Sequence, residues 1–344
     1  RNISYMIVKK MPILQGFPEF ETVKLLSGIS DKNVNFSPVF YDIETTGLGR
    51  NSSFLYLIGA ICWEKDHWQM YQWFAPDFRE EKELLEKFSD FLTNFSCTIQ
   101  YNGNSFDQPY LQARQKVYDL PDPFQGKESL DLYKILRPLK GFLKLPGMKQ
   151  EELESFLGFH KRIYCNGGDC IKIYKKYMAH REQFYLDTVM GHNMEDLLGL
   201  GKVFEMLGYL KLKEGGFKLR GSDFDGESLI LQAALPYSLP APFSNSTEEF
   251  YITGQENIVS IMTYPVNGRI RQYYSDYKKY DYLPGEDMAV PKALGSFLDK
   301  SLKRPATRDT CYTWFPCSQS FLDDQEKQKQ YFRHTIAYLF WKLK

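Results

Sequence analysis

Pro38-Val39-Phe40-Tyr41-Asp42-Ile43-Glu44-Thr45-Thr46-Gly47 is the stretch on which the reading of this chain turns. Its first half is aromatic and β-branched, the composition of a strand. Residues two apart on a strand share a face. Asp42 and Glu44 therefore project together, while Ile43 points the other way into a core. Two carboxylates this close repel, and one takes up a proton unless a cation sits between them. Thr45-Thr46-Gly47 then permits a sharp turn that brings backbone close to whatever the acids hold. Taken alone, the pair reads equally as a strand end with two solvated acids, so partners further along the chain must decide.

The surrounding pattern is regular. Phe54–Trp63 is a second apolar run and Trp68–Phe74 an alternating third, joined by short turns as in an antiparallel meander. Leu84, Leu85, Phe88, Phe91 and Leu92 recur at helical spacing within 80–95. Cys97–Tyr101 reads as a fourth strand and 106–118 as a helix, with Pro109 tolerated in its first turn. A short strand at Leu130-Asp131-Leu132, with Asp131 near a cap, opens a stretch to Leu210 that is nearly all helix. Three strands, a helix, a strand and a helix predict a mixed α/β sheet flanked by helices over 36–210. Residues 1–35 read as an N-terminal arm and 211–224, basic and glycine-containing, as a linker. From 225 to 344, strand signals at 228–235, 257–264 and 269–274, then helical signals at 291–302 and 324–343, predict a second α+β unit.

At 344 residues the chain is long enough for two domains. Its 43% hydrophobic and 16% aromatic content indicates well-filled cores. Lys and Arg number 43, matching 43 Asp and Glu, so no global basic field draws in a polyanion. Local basic patches at 172–176, 211–220 and 303–308 would have to supply it, although solvated helix faces and a linker explain them equally well. Six cysteines, at 62, 97, 165, 170, 311 and 317, include no C-x-x-C pair. A zinc site from His160, Cys165 and Cys170 fits no zinc template. Secretory signal, lipid motif and transmembrane run are absent, so a cytoplasmic protein with reduced thiols and no membrane partner is expected. The sequence opens at Arg1 rather than Met, and its natural start is expected upstream.

Two further acidic signals follow the first. Tyr101-Asn102-Gly103-Asn104-Ser105-Phe106-Asp107 joins a strand to a helix, where Asp107 alone reads as a cap. His192-Asn193-Met194-Glu195-Asp196 lies on a helix. His192 and Asp196, four apart, share a face there, and alone they read as an exposed pair. Asp187, more than two turns before Asp196, and Glu195, on another face, are decoys.

In this order the three motifs resemble the DEDD superfamily of RNase H-like 3′–5′ exonucleases, over roughly residues 36–210. The helical spacer and Leu130-Asp131-Leu132-Tyr133 look similar to its YprB-like bacterial branch. The resemblance implies that Asp42, Glu44, Asp107 and Asp196 hold two divalent cations, Mg²⁺ or Mn²⁺. Asp42 bridges both, Glu44 and Asp196 complete the first, and Asp107 supports the second through water. His192 takes a proton from water, and nucleoside 5′-monophosphates leave a 3′ end, with single-stranded nucleic acid as the expected partner. Thr45, Thr46 and Gly47 would lie beside the terminal nucleotide. Tyr101, Asn102 and Phe106 would pack on sugar or base, although Tyr101 and Phe106 read equally as core. One departure stands out. Members with a histidine place it five residues before the last Asp, whereas His192 sits four before. That supports an alternative, a nucleic-acid-binding module with little or no catalysis. An endonuclease of the wider RNase H-like group is a third reading.

Overall fold

A computed structural model of the chain describes residues 6–29, 36–159, 162–164 and 166–344. The chain divides into two compact units, Arg1–Arg137 with Gly147–Leu207, and Pro138–Pro146 with Gly208–Lys344. The elements run β1 (Ile7–Ile13), α1 (Phe20–Ser27), β2 (Pro38–Thr45), β3 (Leu55–Glu64), β4 (His67–Phe74), α2 (Glu81–Leu92), β5 (Cys97–Gln100), α3 (Asp107–Val117), β6 (Glu128–Asp131) and α4 (Leu132–Leu136). Then come α5 (Leu139–Phe142), which falls in the second unit, α6 (Gln150–Phe156), α7 (Gly167–His180) and α8 (Gln183–Phe204).

The first unit holds a six-stranded sheet in the order β1-β4-β3-β2-β5-β6. The first three pairings are antiparallel, and β2–β5 and β5–β6 are parallel. The meander and the mixed sheet expected from the sequence are both present. Strand alternation divides the residues cleanly. Val39, Tyr41 and Ile43 join a core with Leu84, Leu85 and Phe88 of α2 and Tyr110 and Leu111 of α3. Phe40 points to the opposite face and meets Phe204 of α8 edge-on at 5.5 Å. On that face Tyr56, Leu57 and Phe74 pack with α7 and the start of α8. Asp42 and Glu44 share this parity, so β2 aims them at α8.

Part of the 1–35 segment builds the sheet edge, as β1 pairs with β4 over its whole length, Ile7↔Phe74 to Ile13↔Trp68. Its Lys9 and Lys10 are exposed, and charge on an edge discourages pairing with another chain.

The second unit continues with α9 (Leu207–Lys211), β7 (Lys218–Phe224), β8 (Leu229–Ala234), β9 (Phe243–Ser246), β10 (Phe250–Gln255), β11 (Ile258–Thr263), β12 (Arg269–Tyr273), β13 (Tyr280–Leu283), β14 (Met288–Pro291), α10 (Lys292–Gly295), β15 (Arg304–Pro305), β16 (Tyr312–Pro316), α11 (Gln319–Leu322) and α12 (Gln325–Lys342). Five strands form an antiparallel sheet in the order β7-β8-β11-β10-β9. Smaller sheets pair β12 with β16 and set β13 between β14 and β15. The unit is thus β-rich. The basic 211–224 stretch is largely structured, since β7 occupies its second half.

Cys62, Cys97 and Cys311 are buried free thiols, Cys170 is buried, and Cys317 is a partly buried free thiol. His160 and Cys165 of the considered zinc site lie outside the described residues. Among the described residues no helix is long and apolar enough to cross a membrane.

Candidate active site

Asp42, Gly59 and Gln72 stand in one row across β2, β3 and β4, and α8 crosses that row. Gly59 makes the close approach possible, because a Cβ there would lie 2.0 Å from the Asn193 side-chain oxygen. Asn193 Nδ2 donates to Asp42 Oδ2 at 2.9 Å. Gln72 Nε2 donates to Asn193 Oδ1 at 2.9 Å and to the Met190 carbonyl at 2.8 Å. The row therefore fixes both the helix and the Asp42 carboxylate.

With the helix so placed, His192 and Asp196 come to Glu44. His192 Nε2 lies 3.1 Å from Asp196 Oδ2 and 3.5 Å from Glu44 Oε1. Glu44, His192 and Asp196 each offer one ligand atom, all within 4.8 Å of one another. The helix pair is therefore not a solvated one, since His192 is buried.

Asp42 and Asp107 stand just outside that trio but within its electrostatic reach. Loss of water raises the Asp42 carboxyl well above its ordinary range. Asp196 and Asp107 push it further, and the Asn193 hydrogen bond only partly opposes them. Burial pushes Asp107 up to about 7, with Asp131 and Asp196 adding to the rise and backbone N–H groups, including that of Ile43, holding it back. These are the signatures expected of carboxylates gathered without a compensating cation.

Asp107 is the first residue of α3, preceded by Phe106 at the cap position without a side-chain cap bond. The capping alternative is therefore not what it does. The loop before α3 is instead held by Asp131, which accepts from the backbone N–H of Asn102 at 3.0 Å and of Asn104 at 3.2 Å. Asn102 is exposed in the left-handed region, at φ 59°.

The other expected contact residues divide. Thr45 Oγ1 donates to the Gly47 carbonyl, and Thr46 Oγ1 accepts from Phe54 N–H, so both hydroxyls brace the β2–β3 turn. Tyr101 donates to the Met148 carbonyl and meets Tyr133 edge-on. Phe106 packs partly buried against the α2/α3 core. The decoys are elsewhere engaged: Asp187 accepts from Gln183, and Glu195 accepts from the backbone of Ile163 and Tyr164.

One neighbour had no signal in the sequence. Arg162 Nη1 donates to Asp196 Oδ1 at 2.5 Å, while its Nε and Nη2 bind the buried Glu154 at 2.8 and 2.7 Å. Gln150 ties the same group together, donating to Glu154 Oε1 and to the Asp196 carbonyl. Gly199 leaves room for it, as a Cβ there would lie 1.8 Å from Glu154 Oε1. Arg162 sits in a connection with no periodicity, and nothing local marks it.

Comparison with known proteins bears on the fold. Residues 39–208 match the RNase_H_2 family model of the RNase H superfamily. A 54-residue stretch, 16% of this chain, is 41% identical to a DNA polymerase of Methanocaldococcus jannaschii, of which it spans 3%. The solved family B DNA polymerase of the hyperthermophilic archaeon Pyrobaculum calidifontis is similar at 17% identity and a TM-score of 0.43, over 52% of this chain and 26% of that one. The chain thus corresponds to a small part of the length of these relatives. The fold of the first unit is RNase H-like.

Proposed function

We propose that the first unit is a metal-dependent nuclease that removes nucleotides from 3′ ends, releasing nucleoside 5′-monophosphates. The observation that carries this reading is the meeting of Glu44, His192 and Asp196 within 4.8 Å, beside the partly buried Asp42 and the buried Asp107. The family match over 39–208 agrees with it. The short stretch shared with a DNA polymerase adds support for nucleic acid as the substrate class.

The donor set fits divalent cations. Carboxylate oxygens favour Mg²⁺ or Mn²⁺ over softer ions, and a positive charge relieves the repulsion that raises Asp42 and Asp107. In this reading Asp42, Glu44, Asp107 and Asp196 hold two ions, in the manner of DEDD exonucleases. When bound, such ions activate water and stabilise charge on the leaving oxygen. The chain's own contribution is placement. Asn193 orients Asp42, and Asp131 holds the 102–104 loop against the rim. His192 Nε2 faces the Glu44 and Asp196 carboxylates, which only accept, so it carries the ring proton there and braces the two acids. The exposed Asn102 and the Thr45–Gly47 backbone border the place where a terminal nucleotide would sit.

The Arg162–Asp196 ion pair favours a second reading, a nucleic-acid-binding module with little catalysis, because a guanidinium already neutralises one ligand. Two measurements on the full chain decide between them. Calorimetric titration with Mn²⁺ tests cation binding, and labelled linear and circular DNA and RNA test hydrolysis. The nuclease reading expects binding, cleavage of linear strands with monophosphate products, and intact circles. Metal binding without cleavage of any substrate would sink it in favour of the binding module, and cut circles would make the enzyme an endonuclease.

A further inference from the structure

The second unit carries a pocket of about 320 Å³ that the catalytic reading leaves unused. One side of it is α12. That helix buries Tyr331, Phe332, Ile336 and Leu339 in the core of its unit. The pocket is lined by a different stripe, His334, Ala337, Tyr338 and Trp341, spaced three, one and three residues apart. A helix face turned from the core ordinarily carries charged side chains. This one carries aromatic side chains and a histidine, with the small Ala337 leaving space among them. Tyr338 is held in place by stacking on Tyr273, with ring centres 3.7 Å apart.

Arg308 and Lys213 line the same pocket. The Arg308 guanidinium lies 5.5 Å from the ring centres of Trp341 and Tyr277, and Lys213 Nζ lies 5.3 Å from the centre of the Phe340 ring. Their neighbours in sequence that could neutralise them are engaged elsewhere: Asp309 by Lys342 at 2.6 Å and Glu214 by Lys211 at 2.7 Å. Among the described residues, no Asp or Glu lines the pocket. His334 Nδ1 lies 2.8 Å from the Tyr273 carbonyl. A carbonyl only accepts, so Nδ1 carries the proton and Nε2 is left as an acceptor. Aromatic faces, free cations, one acceptor and a volume at the lower end for ligand pockets match a planar base with a phosphate attached.

We propose that this pocket holds one nucleotide of a single strand, its base against Tyr338 and Trp341 and its backbone phosphate on Arg308. The proposal rests on the nucleic-acid reading above for its substrate class, but not on catalysis.

The test uses full-length Asp42→Asn protein in EDTA, so neither cleavage nor metal binding enters the readout. A short oligodeoxynucleotide bearing 5-bromouracil is bound, irradiated and mapped by peptide mass spectrometry. The cross-link is expected on the tryptic peptide His334–Lys342. In anisotropy titrations, Trp341→Ala is expected to weaken binding about tenfold, the loss of one stacked base. Arg308→Ala is expected to weaken it across all sequences and to reduce the salt slope by about one. Lys213→Ala, on an exposed side chain, serves as a second variant should a change in α12 unfold the unit. Cross-links confined to the first unit, or Lys213→Ala and Arg308→Ala both binding like the parent, would overturn the proposal. Displacement of the strand by free thymidine monophosphate at equal affinity would overturn it too, in favour of a mononucleotide site. If wild-type protein with Mn²⁺ fails to hydrolyse while the cross-link appears as expected, the nuclease reading falls and this one stands.

Discussion

Glu81 and Asp107 are both buried acids of the first unit, yet only Glu81 is surrounded by donors. Arg114 grips it with Nε at 2.8 Å and Nη2 at 2.5 Å, Leu55 N–H donates at 2.8 Å and the Tyr118 hydroxyl at 2.7 Å. This cluster ties α2, α3 and the start of β3 together. Asp107 has Asp131, Asp196 and Asp42 for neighbours and only backbone N–H groups in relief. One region has its charge satisfied within the chain and serves the fold. The other gathers carboxylates whose repulsion the fold does not relieve, the feature that the proposed cation site would need and a structural ion pair lacks.

The sharpest way to break this contrast is to remove an acid from each region. If the proposed function holds, Asp42→Asn and Asp196→Ala should lower hydrolysis about a thousandfold or more, since each would remove a proposed cation ligand. Asp42→Asn should raise the melting temperature measured in EDTA by relieving repulsion, whereas Asp196→Ala should lower it modestly, because Arg162 and His192 lose a partner. Near-parental turnover in either variant would remove that residue from the site. Glu81→Ala should do the reverse, costing about 3–5 kcal/mol of stability by leaving Arg114 buried without a partner. Denaturant unfolding measures this. Replacing Glu81 and Arg114 together with apolar residues of similar volume should cost much less, and equal costs would show that the pair is not acting as a unit.

pH sharpens the same comparison. The Asp107 carboxyl titrates near 7 in the folded chain against about 4 when unfolded. Between those values the folded state keeps a proton that the unfolded chain has lost, so stability falls as pH rises through this window. In EDTA the melting temperature should therefore drop from pH 4 toward 7 through this group, by the equivalent of a few kcal/mol. Asp107→Asn should flatten that part of the curve. Mn²⁺ at a hundredfold over its dissociation constant should restore about 2.7 kcal/mol at neutral pH. A curve for Asp107→Asn parallel to that of the parent would mean that Asp107 is not the group responsible.

How much of this was legible in the sequence follows from what each feature depends on. The sheet and its flanking helices were readable because the apolar runs of β2 and β3, the alternation of β4 and the 3.6-residue spacing in α2 are local signals. The acids Asp42, Glu44 and Asp196 stood out because spacing places them on shared faces, and the structure brings Glu44, His192 and Asp196 together. β1 was missed because only its edge pairing with β4 makes it a strand, and its own pattern is largely exposed. Arg162 and Glu154 were missed because their meeting depends on how α6 and the following connection fold back on α8. Gly59 was a signal left unread, since a glycine amid the apolar residues of β3 marks the close approach of another element. Gln72, a buried amide in an alternating strand, was another.

Those two point to Asn193, which the sequence reading passed over in favour of His192 and Asp196. Asn193 is fully buried, accepts from Gln72 and donates to Asp42, so it transmits the rigid β4–α8 packing to a carboxylate that would otherwise be free to turn. Loss of such an orienting partner typically costs 10- to 100-fold in metal affinity or activity. Asn193→Ala should therefore weaken Mn²⁺ binding by calorimetry and hydrolysis in parallel, by less than Asp42→Asn does. Gln72→Ala, one bond further out, should follow it in the same direction to a smaller extent. Asn193→Asp separates orientation from charge. It keeps the shape and the bond to Gln72 but places a further carboxylate against Asp42, so the metal-free protein should lose stability more steeply as pH rises than Asn193→Ala, which keeps only the slope due to the acids already present. If Asn193→Ala binds Mn²⁺ as the parent does, the hydrogen bond to Asp42 belongs with Glu81 and Arg114 as packing, and the boundary between the two regions moves closer to Asp42 itself.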